Sequence, residues 1–276
     1  MTRLITALAA LALVLAPAAA VAAPEQDRQA LLQYFQKRYP EIKLEDYVHG
    51  ALNFSEDSMG QYEAIMDFPP YVSDIEKGKK MWEMPFKNGK TYAGCFPNGG
   101  RMVAGNYPYF DDKAGKVVTF EMALNACREA NGEAPLAYND MKTMGVLTAY
   151  ARTLSDGMKM NIKVQSPAAQ EAFERGKKFF FTRHGQLNFS CASCHIQGAG
   201  QIVRTEYLSP AIGQATHWPV FRGGSRLVTL QDRYRGCLSR IRAVPLKPGS
   251  TEFNDLEYFH SYLSNGLEMQ ASVFRK

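Results

Sequence analysis

The clearest pattern of hydrophobic and polar positions lies between residues 166 and 181, where apolar residues recur at helical spacing. Apolar positions three, four, seven, ten and eleven residues beyond the first share one face of an α-helix and indicate a buried stripe. Ser166 suits the N-cap, and Pro167 suits the first helical position. The stripe consists of Ala169, Ala172, Phe173, Gly176, Phe179 and Phe180. We therefore predict a helix whose phenylalanines belong to the core.

Two further helices are predicted from apolar spacing followed by glycine. One begins after Asn139 as N-cap and ends before Gly157, and its apolar face is formed by Met141, Met144, Thr148, Ala151 and Leu154. The other precedes Gly266, with apolar residues Leu256, Phe259 and Leu263. Strand signals are few, and residues 116–120 and 226–230 are the best candidates. The predicted fold class is mainly α. Long Gly- and Pro-rich connections span residues 97–108 and 198–224, and connections of this length usually pack around another group.

The chain contains an internal repeat at an offset of about 110 residues. The repeated positions are Val118-Thr119, Cys127 and Pro135-Leu136 in the first copy, and Val228-Thr229, Cys237 and Pro245-Leu246 in the second. In the same way, residues 154–157 of the first copy recur as residues 263–266 of the second. Further matches between the two copies lie upstream, and they occur in the same order along the chain. The repeat predicts a duplicated domain with a boundary near residue 160, which gives domains over residues 23–160 and 161–276.

The N-terminus has the features of a secretory signal peptide over residues 1–22. Arg3 is followed by an apolar stretch and then by small residues, and cleavage fits after Ala22 better than after Ala23. A membrane anchor over residues 4–22 is the alternative. Export predicts an oxidising, periplasmic location, in which spare cysteines tend to pair.

Composition excludes several classes of protein. The 276 residues are 46% hydrophobic and 21% charged, which is ordinary for globular domains. The formal net charge of +5 is spread without a run of like charges, so nucleic-acid binding gains no support. No stretch after the signal peptide is long and apolar enough to span a bilayer.

Candidate chemistry is concentrated in a C-x-x-C-H segment formed by Cys191, Cys194 and His195. This segment is the attachment signature of c-type haem, in which two thiols add to the vinyl groups and the histidine ligates iron. A thioredoxin-like thiol pair or half of a zinc site would be the alternatives, but the first needs a βαβ setting and the second a further pair of ligands. We therefore expect one covalently attached c-type haem, in the second domain only.

The second axial position of the iron decides the function, and the residues leave several candidates open. They are His217, Cys237, His260 and Met269. Met269 follows the last helix, where a chain tends to fray, and His260 falls beside apolar helical positions. Cys237 occupies a repeated position and has four arginines nearby in sequence, Arg233, Arg235, Arg240 and Arg242. Such positive charge stabilises a thiolate or an incoming sulfur oxyanion.

With the two cytochrome-like halves, the C-x-x-C-H segment and an Arg-x-x-x-Cys segment at residues 233–237, the chain resembles the SoxA family of bacterial thiosulfate oxidation. The resemblance implies that Cys191 and Cys194 hold the haem covalently and that His195 is one axial ligand. It implies that Cys237 is the other ligand and carries a persulfide, and that Arg233 binds the anionic substrate. It further implies an L-cysteine S-thiosulfotransferase that pairs with a SoxX cytochrome subunit. That enzyme joins thiosulfate to a cysteine of the SoxYZ carrier and passes two electrons to haem.

The first half departs from the family members that carry a second C-x-x-C-H segment. Cys95 has no partner cysteine or histidine at the required spacing. Because Cys127 corresponds to Cys237, these two cysteines would remain from a vacated haem pocket, and we predict a disulfide between Cys95 and Cys127. Two free thiols are the alternative.

Two competing functions stay open. In one, the protein is a non-catalytic electron-transfer cytochrome and Cys237 is only a ligand or a stray thiol. In the other, it is a haem peroxidase with two cytochrome-like halves, although the first half lacks a haem motif.

Overall fold

A computed structural model describes residues 24–275 and shows a mainly helical chain, as predicted. The predicted signal peptide, residues 1–22, lies outside the described residues. The helices are α1 (Pro24–Arg38), α2 (Glu56–Asp67), α3 (Val72–Glu83), α4 (Phe120–Ala130), α5 (Val146–Thr153), α6 (Pro167–Phe181), α7 (Leu230–Arg240) and α8 (Thr251–Tyr262). Over residues 24–275, none of the helices is long and apolar enough to cross a membrane.

Within residues 24–275, six short strands pair into three antiparallel two-stranded sheets. They are β1 (Tyr109–Asp111) with β2 (Lys116–Val118), β3 (Ile202–Val203) with β4 (Glu206–Tyr207), and β5 (Val220–Arg222) with β6 (Arg226–Val228). The strands expected over residues 116–120 and 226–230 exist but end two residues early. In each case a threonine stops the strand, because Thr119 and Thr229 cap α4 and α7 by accepting hydrogen bonds from backbone amides 3.3 Å away.

Helix α6 follows the sequence prediction closely. Ser166 is its N-cap and accepts a hydrogen bond from the backbone amide of Ala169 at 3.1 Å. The helix packs against α8, where Phe173 lies edge-on to Phe259 with ring centroids 5.2 Å apart. Gly176 permits this approach, because a Cβ atom there would collide with the backbone carbonyl of Asp255.

The first half repeats this helix pair with α3 and α5. Gly78 of α3 faces the carbonyl of Val146 and the Cβ of Tyr150, and an added Cβ would collide with both. The start of this closing helix differs from the prediction. Asp140, rather than Asn139, caps the chain by accepting from the amide of Lys142 at 2.9 Å, since Asp140 is the residue whose backbone is extended directly before the turn Met141–Gly145.

Residues 24–54 pack against the second half, an arrangement that the sequence pattern did not indicate. Leu32 and Phe35 of α1 belong to a buried cluster that also contains Ala199 and Ile212. Arg38 donates to the backbone carbonyls of residues 196 and 197 at 3.0 and 2.8 Å. The N-terminal segment therefore covers the stretch of chain that directly follows the C-x-x-C-H segment.

The first half closes around an aromatic cluster and a disulfide. Trp82 stacks on Tyr92 and on Phe96, with centroid distances of 5.5 and 5.7 Å. Next to this cluster Cys95 and Cys127 form a disulfide with Cα atoms 5.8 Å apart, which confirms the predicted pairing.

The C-terminal segment does not fray, contrary to the expectation for Met269. This side chain is 1% exposed, and its backbone amide donates to the carbonyl of Met158 at 2.9 Å. Further along, Phe221 and Val273 are joined by a backbone hydrogen bond of 3.0 Å. Backbone pairing with the connection between the halves and with β5 therefore holds this segment in place, and such pairing has no periodic signal in the sequence.

Candidate functional site

The C-x-x-C-H segment lies in a tight helical turn on the second half. Ser190 and Ser193 cap this turn reciprocally, since the backbone amide of each donates to the hydroxyl of the other at 3.1 Å. Cys191 and Cys194 both carry free thiols. Burial, reinforced by Cys237 and by Cys194, raises the pKa of Cys191 to about 12. The thiols are therefore protonated and available at neutral pH.

His195 is oriented by the loop that follows the turn. Its Nδ1 lies 2.9 Å from the backbone carbonyl oxygen of Ser209, which can only accept, so Nδ1 carries the proton. Gln214 holds this loop by donating to the Ser209 hydroxyl at 2.8 Å. Burial is the main cause that lowers the pKa of His195 to about 4, the Ser209 carbonyl opposes it, and the charge of Arg233 adds to the lowering. The imidazole is thus neutral, with Nε2 left to bind a metal.

Helix α7 presents a thiol between two cations. Arg233, Cys237 and Arg240 stand at positions i, i+4 and i+7 and so share one helix face. The Cys237 thiol is free and partly buried. It contributes, after burial, to the raised pKa values of Cys191 and Cys194. The structure therefore brings the four residues predicted to contact haem into one neighbourhood, together with Arg233.

These residues fit a c-type haem in their donor chemistry. Two neutral thiols three residues apart suit addition to two vinyl groups, and the neutral imidazole of His195 has the tautomer that leaves Nε2 for iron. Cys237 supplies a third sulfur within electrostatic range of the first two. Among the described residues of the first half, Cys95 and Cys127 are joined in a disulfide.

The other candidate ligands lie in the packed interior. His260 is 2% exposed, and its Nδ1 shares a 2.8 Å hydrogen bond with the hydroxyl of Tyr234. His217 is 4% exposed in a short turn, and burial, followed by the charge of Arg275, lowers its pKa well below the usual value. Met269 is buried in the main core. Of the two alternatives for His260, a core or a surface residue, the structure shows the core position.

Sequence reasoning missed two charged groups near this region. Arg222 of β5 forms an ion pair with Glu206 of β4, with Nη2 and Oε2 3.1 Å apart. Glu257 of α8 is buried beside Glu121 of α4, and Gln231 donates to it at 2.9 Å. Neither pairing leaves a spacing signal, because each joins residues from different elements of the fold.

A mainly helical fold with a C-x-x-C-H turn and an oriented histidine defines a protein of the cytochrome c class. The comparisons agree with this class. Residues 77–160 match the family model described as SoxA/TsdA, cytochrome c domain. This match falls on the half that lacks the haem segment, which shows that the first half is also related to cytochrome c.

Whole-chain comparisons narrow the class to one family. The chain is 46% identical to the L-cysteine S-thiosulfotransferase subunit SoxA of Chlorobaculum tepidum, over 91% of this chain and 88% of the relative. It is 41% identical to the protein of the same name from Allochromatium vinosum, over 92% and 91%. The crystal structure of SoxXA from P. pantotrophus matches with a TM-score of 0.71 at 30% identity, covering 81% of this chain and 85% of that chain. The chain belongs to the SoxA family.

Proposed function

We propose that the protein is an L-cysteine S-thiosulfotransferase that works with one covalently attached c-type haem in its second half. The observation that carries this proposal is the position of the Cys237 thiol between Arg233 and Arg240 on one face of α7. The charge of Cys237 contributes to the raised pKa values of both thiols of the C-x-x-C-H turn. Family membership supports it, because the related chains bear the name of this activity. The acceptor would be a cysteine of the SoxYZ carrier.

The reaction joins the outer sulfur of thiosulfate to the carrier thiol. One S–S bond forms, the thiol proton leaves, and two electrons must be removed. A haem held by Cys191 and Cys194 would supply a one-electron acceptor, so the second electron would go to a further acceptor, the proposed SoxX cytochrome partner. His195 Nε2 and the Cys237 sulfur would hold the iron, and a thiolate ligand would lower its potential relative to methionine.

The chain's own residues would meet the electrostatic demand of this reaction. Thiosulfate carries two negative charges, and a carrier thiolate would add a third. Arg233 lies four residues before Cys237 on the same face and would bind the anion beside the sulfur. We further propose that Cys237 carries the extra sulfur of a persulfide and serves as nucleophile as well as ligand.

The two halves are proposed to be copies of one domain, with the boundary near residue 160. Equivalent contacts support this. Gly78 and Gly176 provide the close approach in the helix pairs α3–α5 and α6–α8, respectively. Ser155 accepts from a backbone amide of residue 103 at 3.1 Å, and Ser264 accepts from that of residue 213 at the same distance. Haem would be bound by the second copy alone.

The partners and location are proposed on the same family basis. The similar crystal structure is that of a SoxXA complex, which favours a SoxX cytochrome as the partner subunit. A periplasmic location rests on the signal peptide predicted for residues 1–22 and on the disulfide, since disulfides persist in oxidising compartments.

Cys237→Ala tests the proposal, with Ser239→Ala, at an exposed position of the same helix, as control. Intact mass should show one haem in both variants, and about 32 Da of removable sulfur in wild type and control only. Conjugation of thiosulfate to the carrier should be lost in Cys237→Ala and kept in Ser239→Ala. Full turnover in Cys237→Ala would contradict the proposal. Wild-type protein that exchanges electrons without forming the conjugate would instead indicate an electron-transfer cytochrome.

A further inference from the structure

Four large apolar side chains are exposed on the surface that adjoins the C-x-x-C-H turn, and together they form the apolar patch. The exposed fractions of Phe181, Leu187, Phe189 and Val244 are 50%, 44%, 44% and 89%, respectively. Phe189 precedes Cys191 by two residues, so the patch reaches the start of the turn. Exposed apolar side chains that polar residues surround mark a surface on which another protein docks.

Backbone hydrogen bonds join the two segments of the patch and connect them to the helix that carries the thiol. The amide of Leu187 donates to the carbonyl of Ile241 at 3.2 Å, and the amide of Ile241 donates to the carbonyl of Cys237 at the same distance. Gly185 permits this approach, because a Cβ atom there would collide with the carbonyl oxygen of Ile241. Two consecutive hydrogen bonds therefore link the patch to the residue proposed to react.

The two segments that carry the patch are basic. Residues 178–189 and 239–247 contain five Lys and Arg side chains and no Asp or Glu. Within residues 24–275, none of the five forms an ion pair with a carboxylate. The five are Lys178, Arg183, Arg240, Arg242 and Lys247. A protein surface with negative charge would therefore complement the patch and its basic rim.

The equivalent stretch of the first half has the opposite charge. Residues 129–137 correspond to residues 239–247 at the repeat offset, and they contain two glutamates and no Lys or Arg. The backbone turn is the same in both copies, since the amides of Gly132 and Arg242 donate to the carbonyl three residues earlier at 3.1 and 3.0 Å. The turn therefore does not require basic residues, and the positive charge belongs to the half that has the C-x-x-C-H segment.

Arg242 has a backbone conformation that glycine adopts more readily. Its φ is 59°, in the left-handed region, and Gly132 has a φ of 76° at the corresponding position of the first half. A residue with a Cβ atom is strained in this region, whereas glycine is not. The second half thus holds an exposed guanidinium in a strained conformation, and such strain is concentrated at functional sites.

We propose that the apolar patch and its basic rim are the docking surface for an acidic face of the carrier protein, with Arg242 as a contact that determines specificity. This inference rests on the proposed function for the identity of the partner, because the carrier must bring its thiol to Cys237 beside the patch. A permanent subunit interface is larger and more apolar. A few apolar side chains within a basic rim suit a transient complex whose association depends on salt.

The experiment measures binding of the carrier to the haem-loaded chain with its partner subunit. The acceptor cysteine of the carrier is replaced by serine, so that no turnover occurs. Arg242→Gly should raise the Kd about tenfold, and Val244→Ser should raise it about fivefold. The Kd of the wild type should rise at least about tenfold between about 50 and about 500 mM NaCl, because salt screens the basic rim.

Two matched controls lie elsewhere on the surface. Arg204 is an exposed arginine with a φ of 62° on the hairpin of β3 and β4, so Arg204→Gly removes the same charge and the same strain. Phe68 follows α2 and is 89% exposed, as Val244 is, so Phe68→Ser removes an equally exposed apolar side chain. Both controls should leave the Kd for the carrier unchanged.

Stability measurements separate docking from a structural role. Arg242→Gly should leave the midpoint of guanidinium denaturation unchanged or raise it, because glycine relieves the left-handed strain. Weaker carrier binding without loss of stability would therefore support docking. A lower midpoint, with a Kd that rises only as far as the unfolded fraction explains, would mean that Arg242 is structural and would overturn the inference.

Other results would also overturn it. They are unaltered carrier binding in Arg242→Gly or Val244→Ser, a Kd that does not depend on salt, and dissociation of the partner subunit, which would make the patch a subunit interface. If the predicted Kd pattern appears but thiosulfate is never conjugated, the docking surface stands and the proposed enzymatic function fails. Conjugation with an unaltered KM for the carrier in both variants would give the reverse conclusion.

Discussion

The Nδ1 atom of His195 donates a 2.9 Å hydrogen bond to the backbone carbonyl of Ser209, fourteen residues further along the chain. Because the carbonyl can only accept, Nδ1 keeps the ring proton, and only Nε2 has a lone pair left for a metal. A backbone acceptor also fixes the plane of the ring, which is how proteins commonly orient a histidine ligand. The main acceptor that orients His195 is thus a backbone group of the loop, and the Gln214 side chain holds that loop through the Ser209 hydroxyl.

Replacing His195 by glutamine should separate haem attachment from haem ligation. We expect His195→Gln to keep its haem, because Cys191 and Cys194 hold it through thioether bonds. The absorption spectrum and midpoint potential should change, and thiosulfate conjugation should fall at least about tenfold. His184→Gln, which replaces a partly buried histidine outside the site, is the control. An unaltered spectrum in His195→Gln would show that another residue binds the iron.

The disulfide between Cys95 and Cys127 should contribute stability without taking part in turnover. It closes a loop with a sequence separation of 32 residues, for which the chain-entropy model gives about 3 to 4 kcal/mol. We expect the double variant Cys95→Ser, Cys127→Ser to lose about this free energy of unfolding, measured by guanidinium denaturation. Reducing agent should lower the stability of wild type but not that of the double variant. A large loss of kcat in the folded double variant would contradict a purely structural role.

Sequence reasoning was most successful where the chemistry is contiguous or periodic. Cys191, Cys194 and His195 are neighbours in the chain, so their spacing alone indicated haem. Helix α6 was predicted with its cap because Ser166 and the apolar stripe are local signals. The same reasoning placed the cap of the first closing helix at Asn139, one residue too early, since Asn and Asp cap equally well and only the backbone geometry decides.

Contacts between distant elements could not be predicted in this way. Arg222 and Glu206 are sixteen residues apart on two hairpins, and nothing in their immediate neighbours marks them as partners. The carbonyl of Ser209 carries no residue-specific information, although it orients His195. The packing of α1 on the second half depends on a small apolar cluster whose members are spread from residue 32 to residue 267.

The two glycines at the helix crossings should be sensitive to the smallest substitution. At Gly78 and Gly176 an added Cβ collides with backbone atoms of α5 and α8, respectively, and backbone gives way only if the helices move apart. We expect Gly78→Ala and Gly176→Ala each to lower the free energy of unfolding by about 1 to 3 kcal/mol, measured by guanidinium denaturation.

Gly60 offers a matched control within the same fold. It lies inside α2, and an added Cβ meets no atom within 4 Å. Gly60→Ala should therefore raise the free energy of unfolding, by up to about 1 kcal/mol, through helix propensity alone. A similar loss of stability in all three variants would show that helix crossing is not the cause.

Glu257 should make the stability of the fold depend on pH. Its side chain is 6% exposed, and Gln231 donates to it at 2.9 Å. Burial is the main cause that raises its pKa to about 8, and the neighbouring carboxylate of Glu121 adds to it, whereas Arg152 opposes it. In the unfolded chain a glutamate titrates near 4.5. Between these values the folded protein holds a proton that the unfolded chain has released, so stability should fall as the pH rises from about 4.5 to 8.

Glu257→Gln removes this dependence while keeping an oxygen that accepts from Gln231. At pH 8 we expect the variant to be more stable than wild type by about 1 to 3 kcal/mol, and the difference should vanish towards pH 4.5 because both side chains are then neutral. Guanidinium denaturation at pH 5, 6.5 and 8 measures this, with Glu171→Gln, at an exposed position of α6, as control. The contrary result would be a Glu257→Gln variant that is less stable than wild type by the same free energy at every pH. The Glu257 carboxylate would then be ionised throughout and paired with Arg152, because losing a permanent ion pair lowers the stability equally at each pH.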